Sequence, residues 1–218
     1  MVLESGARVR GYQVPMVIFA GVTALCACNS QHGTDATAGV APIPSESNRQ
    51  VLESSTFGFR IEYPKGWKAR PDFRGSYLAN GSWKTYAPTD SLGTPVAALV
   101  VPGSNYVTDA ELRIGVSRAR EEVQSCAAQP SSVRAGSTDR ERIDGADFVK
   151  FEATDAAMSH YLDVHSYRAV HQGACYALDL LVYGVNPQVY DPPPKPPFSK
   201  QQAFVEMRGV LRSFHFTR

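Results

Sequence analysis

An α+β fold, an antiparallel β-sheet flanked by helices, follows from three features of the sequence beyond residue 50. Short segments alternate apolar and polar residues with a period of two. Turn-forming pairs that end in glycine, Asn80-Gly81, Asp144-Gly145 and Gln172-Gly173, separate such segments. Two further stretches open with a capping signature, Thr108 with Glu111 and Ser199 with Gln202. Hairpins build antiparallel sheets, and amphipathic helices bury their apolar stripe by lying on such a sheet.

In "FGFRIEYPKGW", Phe57, Phe59, Ile61 and Tyr63 alternate with Gly58, Arg60 and Glu62, which predicts a half-buried strand. Pro64 ends it, and Lys65-Gly66 turns the chain so that Trp67 folds back. The Asn80-Gly81 pair predicts a hairpin of short strands within "GSYLANGSWKTYAP". "TPVAALVVPG" is continuously apolar and reads as a buried strand stopping at Pro102-Gly103. The Thr108/Glu111 capping box predicts a helix over 109–127, with Ala110, Ile114, Ala119 and Val123 as its stripe and Cys126 in its last turn. Four strands follow in hairpins, "STDRERID" with "ADFVKFEATD" and "SHYLDVHSYRAVH" with "ACYALDLLVYG". The Pro-rich "NPQVYDPPPKPPF" reads as extended. Ser199 then caps a helix that buries Phe204, Met207, Val210 and Leu211, and "SFHF" closes as a short strand.

The chain begins with a segment of different character. Arg8 and Arg10 precede an apolar run from Val14 to Leu25, about 12 residues, the length of a signal-peptide core and too short to span a bilayer. The run ends in Leu25-Cys26-Ala27-Cys28, which resembles a bacterial lipobox. Residues 1–27 therefore read as a lipoprotein signal peptide, with Cys28 acylated in a palmitate-type anchor. Residues 28–50, rich in Ser, Thr, Gly, Ala and Pro, read as a flexible tether. Residues 51–218 form a single domain. The expected location is the bacterial cell envelope, lipid-anchored and facing the periplasm. Asn29 after the anchor, in place of Asp, favours the outer membrane over the inner where a cell has both.

The chain holds four cysteines and a net charge of +1. With Cys26 and Cys28 assigned to the signal and anchor, Cys126 and Cys175 remain. In an exported domain two remaining cysteines pair as a disulfide, the alternative being a catalytic thiol. Balanced charge without a basic stripe excludes a nucleic-acid partner. No nucleophile elbow, zinc-protease motif, phosphate loop or Cys-x-x-Cys is present, so no catalytic residue, metal or cofactor is assigned.

The third hairpin carries the densest functional chemistry. A two-residue Gln172-Gly173 turn pairs Val170 with Cys175 and puts Tyr161, Asp163, His165, Tyr167 and His171 on one face. His165 and His171 lie about 20 Å apart along a strand and cannot share a metal. Asp163 and His165 are same-face neighbours that could pair. On the other face Arg168 and Asp179 are within reach of an ion pair. Tyr190 and Phe198 in the Pro-rich segment are candidate anchors for a partner.

"FGFRIEYPKGW", "YRAVHQGACYALDLLVYG" and "FVEMRGVLRSFHF" resemble the opening strand, late hairpin and closing helix-strand of PsbP/Mog1-like domains. The resemblance implies an α/β/α sandwich around an antiparallel sheet. It implies binding in place of catalysis, as in photosystem assembly subunits and bacterial envelope lipoproteins. The expectation is a non-enzymatic, lipid-anchored protein that binds an envelope protein partner, in assembly or stabilisation of a complex. The alternatives are a small-ligand carrier using the face with Tyr161 and His171, and an enzyme with an unrecognised site near Asp163 and His165.

Overall fold

The computed structural model describes residues 48–130 and 138–217. The expected signal peptide, Cys28 and nearly all of the tether lie outside them. The described chain runs β1 (Arg49–Ser54), β2 (Phe59–Pro64), β3 (Lys68–Arg70), β4 (Thr94–Val100), β5 (Thr108–Ser117), α1 (Arg120–Gln124), β6 (Thr138–Ile143), β7 (Ala146–Ala157), β8 (His160–His171), β9 (Ala174–Val185), α2 (Lys200–Leu211) and β10 (His215–Phe216). A three-stranded sheet has the order β1-β2-β10, and a seven-stranded sheet has the order β3-β4-β5-β9-β8-β7-β6. All the strand pairings are antiparallel. The fold is α+β, an antiparallel sheet with helices on it, as the hairpins require.

Two predicted turns lie where the sequence puts them. Asp144-Gly145 joins β6 to β7, and Gln172-Gly173 joins β8 to β9, each residue with positive φ as primed hairpin turns demand. Val170 faces Cys175 in the register. The β7–β8 turn is made by Met158 and Ser159, both also at positive φ. Without a glycine it carries no sequence signal. Strand β1 starts at Arg49, two residues inside the segment read as tether.

One face of the large sheet is an apolar core. Ala110, Leu112, Ile114 and Val116 of β5, with Tyr176, Leu178, Leu180 and Val182 of β9, meet Phe204, Met207, Val210 and Leu211 of α2. Phe59 and Ile61 of β2 and Phe214 close the same cluster. Ser199 caps α2, accepting from the Gln202 amide at 3.1 Å.

The helix expected over 109–127 is replaced by β5 and the short α1. Ala110 and Ile114 fit a helical stripe, but Ala110, Leu112, Ile114 and Val116 also alternate, and the alternation prevails. Strand β5 pairs along its length with β9 and over most of it with β4, so its backbone is satisfied on both sides. Thr108 and Glu111 do not cap a helix. Glu111 is buried and pairs with Arg70 and Arg113. The Asn80-Gly81 hairpin is likewise absent, and residues 71–93 form an irregular cover over the other face of the sheet.

That cover is held by charge. The Arg113 guanidinium donates to the carbonyls of Asn80 (2.8 Å) and Arg74 (2.7 Å). The Thr85 amide donates to Asp179 at 2.7 Å, and Asp179 in turn pairs with Arg168. Trp83 packs with Cys126, Cys175 and Ala177. A disulfide joins Cys126, just after α1, to Cys175 in β9 and fastens α1 to this face.

Gly115 in β5 lies directly beneath the cover. A Cβ there would stand 1.7 Å from the Trp83 carbonyl oxygen. Gly115→Ala should therefore destabilise the domain by about 3 kcal/mol or more, read as a lower urea midpoint. Replacing Cys126 and Cys175 together by serine should lower stability by about 4 kcal/mol on the chain-entropy account, measured by the same unfolding curve.

Candidate functional site

The strand face singled out in the sequence is divided among different surroundings. Tyr167 is fully buried beneath α2. Burial and the nearby Glu141 charge push its phenol well above the ordinary value. His165 stacks on Phe204 of α2 with ring centroids 3.9 Å apart. His171 stacks on Phe216 at the same separation, near the opposite end of β8. Asp163 pairs with Lys200 at 2.7 Å and not with His165, whose Nε2 lies 3.7 Å from Glu152. These residues therefore line no common cleft, because α2 and β10 cover the face. Phe198 is half-buried and packs against the core, whereas Tyr190 is exposed and meets Tyr106 edge-on at 6.2 Å.

A concave surface lies at one end of the strands. A cavity of about 280 Å³ is lined by Tyr77, Tyr106, Asp109, His160, Tyr161 and Tyr183. His160 and Tyr161 also line an adjoining cavity of about 560 Å³ that extends over the β7–β8 turn to Lys200. Five elements build this end, with strand β5 bringing Asp109. The β4–β5 loop brings Tyr106, its turn closed by Asn105 Oδ1 accepting from the amides of Val107 and Thr108. Strand β9 brings Tyr183. Gly184 lets the loop approach, since a Cβ there would stand 2.1 Å from the Val107 carbonyl oxygen. Strand β8 brings Tyr161, whose hydroxyl lies 2.9 Å from Thr108 Oγ1. The cover brings Tyr77, which stacks on His160 at 4.7 Å.

The electrostatics of the cavity are set by few groups. The Tyr183 hydroxyl donates to Asp109 at 3.1 Å. Burial, with the charges of Glu111 and Asp109, raises the Tyr183 phenol. Burial, with Asp163, raises that of Tyr161. Both rings are neutral under physiological conditions and offer π-faces and hydroxyls, not nucleophiles. Among the described residues no group of three His, Cys, Asp or Glu side chains could hold a metal ion.

The aromatic character of this end extends outward. Tyr77, Tyr106, Met158, Val189 and Tyr190 are exposed large apolar side chains, Met158 at 79% and Tyr106 at 67%. At the start of β1 the Lys65 amide donates to the Asn48 carbonyl at 3.0 Å. Asp109 and Tyr106 escaped the sequence reading because Asp109 was placed in a helix. Tyr106, an aromatic amid Gly, Ser and Asn in "PGSNYV", was the available signal.

No family model matches the chain, and no curated protein does. The solved structures to which it is similar include these three. A Bacteroides thetaiotaomicron protein shares 11% identity at a TM-score of 0.43, over 78% of this chain and 49% of that one. The cyanobacterial PsbP protein CyanoP of Synechocystis shares 12% at 0.41, over 82% and 98%. LpqN of Mycobacterium tuberculosis, described as involved in cell envelope biogenesis, shares 10% at 0.39, over 78% and 91%. The chain thus spans about half the length of the first of these. No helix among the described residues is long and apolar enough to cross a membrane.

Burial holds the His165 imidazole below its ordinary value of 6.5, against the attraction of Glu152. The unfolded chain therefore takes up this proton at a higher pH than the folded chain, and stability falls as pH drops below about 6.5. Asp179 acts lower on the scale. Burial would raise its carboxyl, but Arg168 and the hydrogen bonds from Thr85 and Ser166 outweigh burial and hold it below 3.8. Its contribution is present above that value and lost only in stronger acid. The unfolding midpoint should thus fall between about pH 7 and pH 5. The fall should be smaller in His165→Gln, compared by thermal melts at the two pH values.

Proposed function

We propose that this chain is a lipid-anchored, non-catalytic protein of a bacterial cell envelope, whose domain binds a protein partner through the aromatic end of its large sheet. The observation that carries the reading is the gathering of Tyr77, Tyr106, Met158, Val189 and Tyr190, exposed, around one strand end. Exposed contiguous apolar groups on a soluble domain mark interaction surfaces. Tyrosine is the residue type that supplies contact area at little entropic cost.

The lipobox-like Leu25-Cys26-Ala27-Cys28 supports an acyl anchor on Cys28. The disulfide supports an oxidising compartment, consistent with a periplasm-facing domain. Assembly or stabilisation of an envelope complex is the role that suits such a surface, and the outer membrane is the preferred site where there is one.

Photo-reactive residues at Tyr106, Tyr190 and Tyr77 of the lipidated protein, in its native cells, test this reading. One dominant adduct shared by these positions, and absent at Arg140 on β6, is the expected outcome. Equal or absent capture at the two surfaces counts against it.

A further inference from the structure

We infer that the cavity at the strand end binds a small organic cation, an amine or a quaternary ammonium. The inference concerns the cavity alone and stands independently of the protein partner. The rings of Tyr77, Tyr106, Tyr161 and Tyr183 line about 280 Å³ of space together with Asp109 and His160, and neither lysine nor arginine takes part in the lining. Tyrosine faces are electron-rich, and cages of such rings hold ammonium groups by attraction to the ring quadrupole. Rings alone would accept any flat apolar group. The carboxylate makes the cavity selective for positive charge.

Asp109 is unlike the other acids around it. Glu111, two residues along β5, is neutralised by Arg70 and Arg113. Asp163 is neutralised by Lys200. Asp109 has no ion-pair partner among the described residues. Its Oδ2 accepts from Tyr183, and its Oδ1 is shielded from water without a hydrogen-bond partner. A shielded oxygen serves a neutral polyol poorly, because a polyol binds by making hydrogen bonds. It serves a methylated ammonium well, because that interaction is through charge and needs no donor.

The molecule already shows the same chemistry once at this end. Lys200 Nζ lies 3.6 Å from the centroid of the Tyr161 ring while pairing with Asp163 at 2.7 Å. That cation, belonging to the adjoining cavity, combines a tyrosine face with a carboxylate. Asp109 with Tyr183, Tyr106 and Tyr77 repeats the combination with no lysine or arginine in place, the His160 imidazole lying against the Tyr77 ring.

Isothermal titration of the full chain with tetramethylammonium and with choline tests the site, with dimethylbutanol as the neutral carbon isostere of choline and glucose as the polyol. Saturable binding of both cations is expected, with the neutral isostere about tenfold weaker. Asp109→Asn should weaken choline about fivefold or more, as should Tyr106→Ala, whose exposed ring is not needed for folding. Equal affinity for choline and its neutral isostere would overturn the inference. So would unchanged affinity in Tyr106→Ala, no saturable binding of either cation by the folded chain, or binding of glucose alone.

Discussion

The architecture depends on charge buried beneath an irregular segment. Residues 71–93 cross one face of the large sheet without forming a strand or helix, and a covering segment of that kind brings backbone groups out of water. Arg113 and Asp179 meet that demand. Arg113 donates to two carbonyls of the cover, and Asp179 accepts one of its amides. Each is itself paired inside the sheet, Arg113 with Glu111 and Asp179 with Arg168. Desolvating such groups is expensive, and removing one partner alone leaves a buried charge uncompensated. The pairs therefore act as fixed hydrogen-bonding sites that determine where the cover can lie. The position of Trp83 above Gly115 and of Tyr77 at the strand end follows from them.

This arrangement explains what could be read in the sequence. Hairpins were legible where a glycine pair marked the turn, as at Asp144-Gly145 and Gln172-Gly173. The register of β8 on β9 and the Arg168–Asp179 pair were visible from the Gln172-Gly173 turn, and the Cys126–Cys175 disulfide from the count of cysteines left in an exported domain. So was α2, whose cap and stripe agree with its burial. Strand β5 was not legible as a strand. Glu111 and Arg113 look like a solvated face, and a segment that shows polar residues between apolar ones at mixed spacing satisfies helix and strand templates together. Only the pairing partners on either side, and the cover that needs those charges, decide between them.

The site was obscured for a related reason. Tyr161, Asp163, His165, Tyr167 and His171 share a face by the period of a strand, but period says nothing about what covers the face. Helix α2 covers it, so histidine and tyrosine there serve as packing groups that stack on Phe204 or lie wholly buried. The residues that converge in space come from five separate elements. Tyr106 and Tyr77 belong to connections, and Asp109 and Tyr183 face each other across β5 and β9. No spacing within one segment could bring them together. Tyr161 alone belongs to both the expected face and the observed cavity.

The small sheet has a mechanical consequence. Strand β1 is the first described strand of the chain and pairs with β2 through six residues, most of them exposed. Tension applied upstream of Arg49 loads that pairing before any other, and little apolar surface resists it. Peeling β1 would lengthen the lead by about 20 Å at the extended rise of a strand. Strand β2 would remain paired to β10, and the contact between α2 and the large sheet would be undisturbed. The domain thus carries a short length of slack that can be paid out under load and rewound when the load ceases.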